Sequence, residues 1–437
     1  MNATCVDVAV VGGGPAGLAA AVALRSTGVS VTVLEREEAL GGIARHANHT
    51  GYGLREFHRL LRGPAYAKRW AERAEHAGVV AETGTTVTGW SNDDATTRFL
   101  TVTSPQGIRE LQARAVVLAT GTRERPRSAR LVPGSRPLGV LTTGALQQLV
   151  ALGEHVPAVR AFGRRAVIVG AEHVSFSAVL TLAHAGCTTV AMVTTEPRHQ
   201  SYAALRAMTA SRHRVPVLTR TAVTEIRGRP RVESVEVCDL ATGTTRLLDC
   251  DTVVFTGDWV PDHELARRGG LPIDPGTRAP RVDAGLRTDA PGVFAAGNLL
   301  HGAETASVCA ASGAWTAKAV TQWLADADAS TWPTTRGVRI ECAPPLRWVS
   351  PNLLVPGQHA VPHGHLLARS SAFSRRPGIV VSQGDRELWS GRLRRTVPTM
   401  PVHLPAGWLG QVEPGDPVRI TLMPRVTGCN ESRGNDE

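Results

Sequence analysis

The 437-residue sequence predicts an α/β protein followed by a small β domain, and three observations support this prediction. Residues 6–37 combine an apolar run, a glycine-rich loop, a helix of small residues and a second apolar run. Residues 164–194 repeat a similar arrangement. Residues 338–425 contain short β-type runs separated by Gly, Pro and Asp turns. Strands that alternate with helices are typical of parallel sheets, and short runs between turn residues are typical of β domains.

The first unit has the pattern of a dinucleotide site. Residues 6–11 predict a buried parallel strand, and the small residues LAAAVAL predict a helix that packs closely on it. The loop between them has the G-x-G-x-x-G glycines Gly12, Gly14 and Gly17. These glycines let the backbone approach a pyrophosphate at the helix N-terminus, where unpaired N–H groups favour anions. Glu35 ends the second strand, where a carboxylate accepts hydrogen bonds from a ribose.

Several segments resemble one family. GPAGLAAA and LEREEALGG resemble the FAD site of two-dinucleotide-domain flavoproteins, the pyridine nucleotide-disulfide oxidoreductase superfamily. Residues 113–126, 250–262 and 286–298 resemble later motifs of that superfamily at its expected intervals. The resemblance implies a non-covalently bound FAD and a second Rossmann-like domain, for NAD(P)H, inserted into the first.

The predicted fold is therefore α/β, with two Rossmann-like domains, the second inserted in the first, and a small C-terminal β domain. The expected boundaries are 1–130 and 270–328 for the discontinuous FAD domain, 131–269 for the inserted NAD(P)-binding-like domain, 337–425 for the β domain and 426–437 for a disordered tail. Residues 325–337 predict a Pro-rich linker, and residues 385–405 have the alternation of a half-buried hairpin.

The resemblance also implies a set of FAD contacts. They are Gly12, Gly14, Pro15, Ala16, Gly17, Glu35, Arg36, Gly42, Val87, Thr120, Gly121, Gly297 and Asn298. Asn298 stands where the family has Asp. An amide still hydrogen-bonds ribityl or phosphate oxygens and adds no repulsion, so we expect FAD binding to survive this change.

The loop of the second unit departs from the dinucleotide pattern. Glu172 and Ser175 stand where the second and third glycines belong, and Thr194 or Thr195 stands where a ribose-binding acid would be. A carboxylate close to a pyrophosphate repels it. We expect a retained scaffold with a degraded site, although His173 and nearby arginines could offset the charge, so NAD(P)H binding stays open.

Two stretches are expected near the flavin. By family geometry, the turn after Gly42 and the stretch after Asn298 both approach the isoalloxazine. The candidates for substrate binding and proton transfer are His46, His49, His301 and Glu304, with Arg45 beside them. Histidine exchanges protons near pH 7, as amine or alcohol oxidation requires. The alternative is that these residues hydrogen-bond FAD or cap the helix that begins near Glu304.

Further resemblance indicates the type of reaction. Residues 139–149, GVLTTGALQQL, are similar to FAD-binding subunits of opine oxidase, hydrogen cyanide synthase and sarcosine oxidase-like amine dehydrogenases. Residues 41–57 contain no cysteine, so a redox dithiol after the first GG turn is excluded. We expect an FAD-dependent enzyme that passes hydride from a small amine, amino acid or hydroxyl-bearing substrate to flavin N5. The alternatives are an NAD(P)H-dependent flavin reductase and a non-catalytic FAD scaffold for a partner.

Composition excludes other functions. The net charge of +10 comes from scattered arginines, with Lys68 and Lys318 as the two lysines, so we expect no nucleic-acid partner. No apolar run approaches the roughly 18 residues of a membrane span. The seven cysteines form no C-x-x-C, so neither a metal site nor a disulfide framework is expected. We expect a cytoplasmic protein that binds a small molecule and forms a homodimer or joins a partner subunit.

Overall fold

A computed structural model describes residues 4–91, 96–153, 163–202, 207, 213–302 and 304–423 of the chain. The predicted disordered tail, 426–437, lies outside the described residues. In the described part, no helix is both long enough and apolar enough to span a membrane.

The first domain begins with a six-strand path of sheet. Its strands and helices are β1 (Thr4–Val11), α1 (Pro15–Arg25), β2 (Val31–Leu34), β3 (Thr50–Tyr52), α2 (Leu54–Phe57), β4 (Leu61–Arg62), α3 (Gly63–His76), β5 (Val80–Glu82), β6 (Thr86–Trp90), β7 (Arg98–Ser104) and β8 (Gly107–Leu118). The sheet order is β5-β2-β1-β8-β7-β6, with β3 and β4 paired separately. Strands β5, β2, β1 and β8 are parallel, whereas β7 and β6 are antiparallel additions.

The inserted domain follows between β9 and β18, two antiparallel strands that connect it to the first domain. Its elements are β9 (Thr122–Glu124), β10 (Val140–Thr142), α4 (Thr143–Gly153), β11 (Arg165–Val169), α5 (His173–His184), β12 (Thr188–Val193), β13 (Val217–Leu218), β14 (Thr221–Arg227), β15 (Ser234–Asp239), β16 (Thr245–Asp249), β17 (Thr252–Phe255) and β18 (Trp259–Pro261). The short helix α6 (Glu264–Arg268) that comes next packs against β6 of the first domain. Five strands form a parallel sheet in the order β10-β17-β11-β12-β13, and β14, β15 and β16 form an antiparallel sheet. The parallel order places the start of α5 beside the end of β17.

The chain then returns to the first domain. Strand β19 (Val293–Ala295) pairs in parallel with β8, and α7 (Ala306–Ala325) packs against α1. Both helices are rich in small residues, and a Cβ on Gly313 of α7 would lie 1.9 Å from Ala16 O of α1. This close approach brings the N-termini of both helices to one edge of the sheet.

The predicted linker packs into the first domain. Trp332 is 3% exposed, and its Nε1 donates a hydrogen bond to Thr288 O at 2.8 Å. Its ring also meets Trp323 and Phe294 edge-on, with centroids 5.1 and 5.6 Å apart. The segment predicted as a linker, residues 325–337, is therefore tied to the core of the first domain by its buried tryptophan.

The C-terminal part is a β domain. Its strands are β20 (Val338–Cys342), β21 (Leu346–Ser350), β22 (Leu353–Leu354), β23 (His365–Ser370), β24 (Ser374–Arg375), β25 (Gly378–Gln383), β26 (Arg386–Arg392), β27 (Arg395–Thr396), β28 (Val402–Pro405) and β29 (Val418–Met423). They form sheets in the orders β22-β20-β29-β25-β26 and β21-β23-β28, with β24 and β27 paired. The two-residue turn at Gly384 and Asp385 joins β25 to β26, whereas β28 pairs with β23. The hairpin predicted at 385–405 was therefore wrong in its pairing.

The predicted fold class is confirmed. A mixed sheet in the first domain is interrupted by an inserted domain with a parallel sheet, and the β domain follows. The carboxyl ends of the parallel strands are where such sheets bind ligands, so the loops after β1 and β11 are candidate binding sites.

Candidate functional site

The loop after β1 forms a cradle for a pyrophosphate. Gly12 has a φ of 108°, and a Cβ there would lie 2.5 Å from Ala119 O, so a larger residue does not fit. A Cβ on Gly17 would lie 1.9 Å from Gly12 O. At Gly14 the nearest protein atom would be Gly42 Cα at 3.9 Å. Packing therefore requires glycine at positions 12 and 17, whereas Gly14 leaves open space in front of the helix.

The helix that follows presents free N–H groups to this space. Gly14 caps α1 without a side-chain hydrogen bond, and Pro15 stands at the first helical position. Ala16 packs under Gly297, where a Cβ would lie 2.6 Å from the Ala16 Cβ. The N-terminus of α1 therefore faces open space without a side chain in front of it, which favours an anion. These residues fit FAD, whose pyrophosphate they would hold.

Glu35 lies at the end of β2, as the sequence predicted. It is 6% exposed, its Oε2 accepts a hydrogen bond from Gly13 N at 2.7 Å, and its Oε1 accepts one from Glu37 N at 2.9 Å. A carboxylate has about four acceptor positions, so both oxygens keep capacity for ribose hydroxyls. The carboxylate thus also fixes the loop relative to the strand.

Asn298 lies between β19 and α7, and its side chain bridges this segment to the backbone of Glu304. Its Oδ1 accepts a hydrogen bond from Glu304 N at 2.9 Å, and its Nδ2 donates one to Glu304 O at 3.2 Å. An aspartate could accept the first bond but could not donate the second. The amide at this position is therefore explained by the backbone it holds, and its contact with FAD stays a prediction.

The other predicted FAD contacts lie around the connecting strands β9 and β18 and the sheet. Thr120 Oγ1 donates to Asp262 O at 2.7 Å, and Asp262 N donates to Gly121 O at 2.9 Å. Arg36 is exposed and pairs with the Asp262 carboxylate at 3.3 Å. Val87 lies on β6 opposite Val102. The first domain is thus joined to Asp262, the residue after β18, by Thr120, Gly121 and Arg36. The contacts of these residues with FAD stay predictions.

The two histidines of the first-domain turn lie near the inserted domain. His46 ends the turn Gly42–His46, and burial, with the neighbouring Arg45, lowers its pKa. His49 Nδ1 bonds with Thr50 O at 2.9 Å. His49 also faces His173 of α5, whose pKa is lowered by burial first and by His49 in addition. Both first-domain histidines therefore lie at or near the junction of the two nucleotide domains.

His301 and Glu304 are both buried. Glu304 Oε1 forms an ion pair with Arg369 Nη2 of β23 at 2.6 Å, and both side chains are less than 10% exposed. Burial lowers the pKa of His301 to about 3, so its imidazole is neutral. This geometry assigns Glu304 a part in joining the β domain to the first domain, and the catalytic roles of both residues stay predictions.

The loop after β11 is filled by its own side chains. Glu172 is 6% exposed, and its Oε2 and Oε1 lie 2.7 and 2.9 Å from where Cβ atoms on Gly170 and Gly257 would be. Ser175 Oγ and Thr256 Oγ1 share a buried hydrogen bond of 2.7 Å. A carboxylate thus lies where the backbone would meet a pyrophosphate, and the residues present do not fit NAD(P)H.

The C-terminal β domain contacts the inserted domain as well. Thr399 Oγ1 donates to Gln200 O at 3.3 Å, and the Arg198 guanidinium lies 4.3 Å from the Phe373 ring centroid. Gln200 N in turn donates to Ala171 O, within the loop after β11. The β domain therefore supports the segment that covers this loop.

Two buried charged residues near the site were missed by the sequence analysis. Arg369 comes from the β domain, where no motif marked it. Glu124 lies on β9, and burial raises its pKa to about 7. Glu124 lies within residues 113–126, which resemble a family motif, and its position four residues after Thr120 was the signal that could have identified it.

The comparisons with known proteins agree with this geometry. A family model described as pyridine nucleotide-disulphide oxidoreductase matches residues 6–313, more than half of the chain. The chain belongs to this family. It is accordingly an oxidoreductase and a flavoprotein, with FAD as its cofactor.

Individual relatives are more distant. A putative glutamate synthase [NADPH] small chain of Cereibacter sphaeroides is 28% identical over 73% of this chain and 77% of its own. An opine oxidase subunit of Agrobacterium tumefaciens (strain Ach5) is 35% identical over 35% of this chain, which matches 30% of that relative. Thioredoxin reductase of T. acidophilum has a TM-score of 0.62 at 22% identity, over 74% of this chain and 99% of that one. The last comparison shows the fold.

Proposed function

We propose that the protein is an FAD-dependent oxidoreductase that dehydrogenates or oxidises a small amine, amino acid or hydroxyl-bearing substrate without a redox-active disulfide. The observation that carries this proposal is the contrast between an open FAD loop and a second loop filled by Glu172. Electrons that cannot enter from NAD(P)H would come from the substrate itself. The partial similarity to the opine oxidase subunit supports this direction.

The absence of cysteine from the first-domain turn supports the second half of the proposal. Residues 41–57 contain none. Cys187 and Cys250 of the inserted domain are both free and buried in separate apolar clusters, and burial raises the pKa of each thiol to about 12. Such thiols are inert as nucleophiles at neutral pH.

In this proposal the chain's own residues hold the cofactor and move a proton. Gly14 and the N-terminus of α1 would hold the pyrophosphate, and Glu35 would hold a ribose. Bound FAD supplies the hydride acceptor. His46 and His49 are proposed to take the proton that the substrate's N–H or O–H group loses, because histidine is the side chain that most often serves as a general base.

Rapid anaerobic mixing tests the proposal. The FAD-loaded protein is mixed with a panel of small amines, amino acids and hydroxy acids, and separately with NADH and NADPH, while flavin absorbance is followed. We expect bleaching by a member of the panel and none by either nicotinamide. Rapid bleaching by NADPH would instead establish the NAD(P)H-dependent flavin reductase, which the similarity to a glutamate synthase [NADPH] small chain favours.

Two relatives bear the names of parts of larger enzymes, a glutamate synthase small chain and an opine oxidase subunit. We propose that this chain likewise acts with a partner subunit or as a homodimer. Light scattering on the purified chain measures its mass. Failure of every electron donor, together with tight FAD and a co-purifying protein, would support a non-catalytic scaffold.

A further inference from the structure

An open groove lies in the inserted domain, between the segment that precedes β10 and the turn that joins β14 to β15. Its volume is about 740 Å³, and it is lined by Gly134, Ser135, Arg136, Pro137, Arg229 and Pro230. Gly139, which links the first wall to β10, packs on the chain just before β17, where a Cβ would lie 2.5 Å from Asp251 O. The groove is therefore near the amino ends of the parallel strands, whereas the loop after β11 follows a carboxyl end.

The two walls of the groove are joined at both ends. Ser135 N donates a hydrogen bond to Ile226 O at 2.9 Å, and Leu138 N donates one to Pro230 O at 2.8 Å. The guanidinium of Arg127 also donates to three backbone oxygens of the first wall, those of Val132, Pro133 and Ser135. A groove that is already fixed in this way costs a ligand little ordering.

The groove is positively charged. Arg136 and Arg229 are exposed, one on each wall, and among the described residues that line the groove none is acidic. Arg136 also lies near Arg127, whose pKa is lowered by burial first and by Arg136 in addition. On the neighbouring strands, Glu225 and Glu236 are paired with Arg227 at 2.6 and 2.7 Å. An anionic ligand would supply the charge that this surface lacks.

Two exposed leucines stand at the ends of the first wall in sequence. Leu138 follows Pro137 and is 64% exposed, and Leu131 is 85% exposed, more than any other large apolar side chain of the described residues. Leu131 also has a φ of 55°, in the left-handed region that a bulky side chain rarely adopts. An apolar side chain held in water by an uncommon backbone is unfavourable twice, and apolar surface rimmed by polar residues is typical of an interaction site.

The chemistry of the groove favours a polypeptide as its ligand. Within the described part of the lining there is no aromatic side chain, whereas single-stranded nucleic acids bind by stacking on aromatic rings. The prolines and leucines offer aliphatic contacts instead. A second copy of this chain is disfavoured, because a two-fold contact would place Arg136 and Arg229 against the same two residues. The net charge of +10 adds to that repulsion.

We propose that this groove docks an acidic segment of a different polypeptide. Its carboxylates would pair with Arg136 and Arg229, and apolar residues beside them would cover Leu131 and Leu138. The inference rests on the proposed partner subunit and adds to it the place and the chemistry of the contact. Because the groove is at the opposite end of the sheet from the loop after β11, a docked segment leaves that loop uncovered.

Calorimetry on the full-length, FAD-loaded protein tests the groove. The probe is the acetylated and amidated peptide LDEEDL, and the comparisons are the uncharged peptide LNQQNL and an oligothymidylate. We expect LDEEDL to bind with a Kd below about 1 mM and LNQQNL to bind at least about tenfold more weakly. Affinity for LDEEDL should fall at least about fivefold between about 50 and about 500 mM NaCl, because exposed charges are screened by salt.

Matched variants locate the binding. Arg136→Gln with Arg229→Gln removes both charges of the groove, and Arg392→Gln with Arg394→Gln removes two exposed charges of the β domain. Both double variants have the same net charge, so general attraction of the peptide to a basic protein weakens equally. We expect the first to lose about tenfold in affinity for LDEEDL, since two exposed ion pairs are removed, and the second less than about twofold. An FAD content equal to that of wild type shows that each variant is folded.

Leu131→Asn tests the apolar contact. Asparagine adopts a positive φ more readily than leucine, so the variant should fold and be at least as stable as wild type in urea. We expect about threefold weaker binding of LDEEDL and unchanged binding of SDEEDS, in which serine replaces both leucines. Equal affinity of wild type and variant for LDEEDL would overturn the apolar part of the proposal.

The outcomes separate this inference from the proposed function, because peptide binding needs no turnover. No binding of LDEEDL by wild type, or an equal loss in both double variants, would overturn the docking surface. So would binding of the oligothymidylate that depends on the groove arginines, or a homodimer that Arg136→Gln with Arg229→Gln dissociates. Flavin reduction by a small substrate without peptide binding would retain the oxidoreductase and remove this surface.

Discussion

The two dinucleotide loops of the molecule have the same backbone and different chemistry. Each begins with a glycine at positive φ, 108° at Gly12 and 142° at Gly170. Each then reaches a helix cap in extended conformation, with φ and ψ of −79° and −175° at Gly14 and −88° and −177° at Glu172. The fold therefore tolerates a side chain at the cap. Whether that residue is glycine or glutamate changes the charge and the space in front of the helix and leaves the fold intact.

The largest expected effect tests the open loop. Gly14→Val places a side chain where no protein atom comes closer than 3.9 Å, at a φ that valine adopts readily. We expect the variant to fold and to purify without FAD, because the side chain fills the space of the pyrophosphate. Wild-type protein should carry one flavin per chain, measured by absorbance after denaturation.

The matched control is Gly407→Val, at an exposed glycine with open space around its Cβ position. It should keep its flavin. A Gly14→Val variant with stoichiometric FAD would show that the cofactor does not cross this loop.

The next effect concerns the buried acid beside the filled loop. The pKa of Glu124 is raised from 4.5 to about 7, so ionisation in the folded state costs stability as pH rises between these values. Stability from the protonated acid is full below about pH 4.5 and is lost above about pH 7. Glu124→Gln should therefore be more stable than wild type by up to about 3 kcal/mol at pH 8, and nearly equal to it at pH 4.5. Urea unfolding at both pH values measures the difference, and an equal effect at both would contradict the pKa.

A smaller effect tests the far side of the FAD site. Asn298→Asp removes the donor to Glu304 O and places a carboxylate against that carbonyl. We expect a loss of about 1–3 kcal/mol in urea unfolding, as for a buried acceptor left without its donor. Unchanged stability would show that the amide does not hold this segment.

The smallest expected effect comes from opening the filled loop. Glu172→Gly with Ser175→Gly removes the repulsive charge and restores room, but Thr194 or Thr195 still stands in place of a ribose-binding acid. We expect weak NADPH binding that wild type lacks, a gain of a few kcal/mol at most. Ser175→Gly alone, which keeps the carboxylate, should show no gain in calorimetry. Strong binding by wild type that is lost with Glu172 would instead make this acid a cofactor ligand.

The local parts of the molecule could be predicted from the sequence. Residues 6–37 contain the strand, loop, helix and acid of one site within one short stretch, so the FAD loop could be predicted. Glu172 could likewise be recognised as a departure from the glycine pattern of the second loop. The helix cap at Thr305 lies one residue from the expected start. In each case, the residues that interact are close in sequence.

The contacts between domains could not be predicted. Arg369 reaches Glu304 across 65 positions, and neither residue has a neighbour in sequence that indicates the other. Trp332 donates its hydrogen bond to Thr288 O, 44 positions away and outside the Pro-rich segment that contains it. The sequence shows the turn at Gly384 as Gly-Asp, but the alternation in residues 385–405 favoured a hairpin within those residues. In the structure, β26 pairs instead with the preceding strand, β25. Glu124 acquires its raised pKa from burial that only the assembled fold creates.

In the proposed function, the first loop holds FAD and the second does not hold a nicotinamide cofactor. Its most direct test is calorimetric titration of NADPH into wild-type protein whose FAD content has been verified. We predict no measurable binding, because the Glu172 carboxylate lies where the pyrophosphate would be. Saturable NADPH binding in the low micromolar range, about the −8 kcal/mol of an intact cofactor site, would contradict the account.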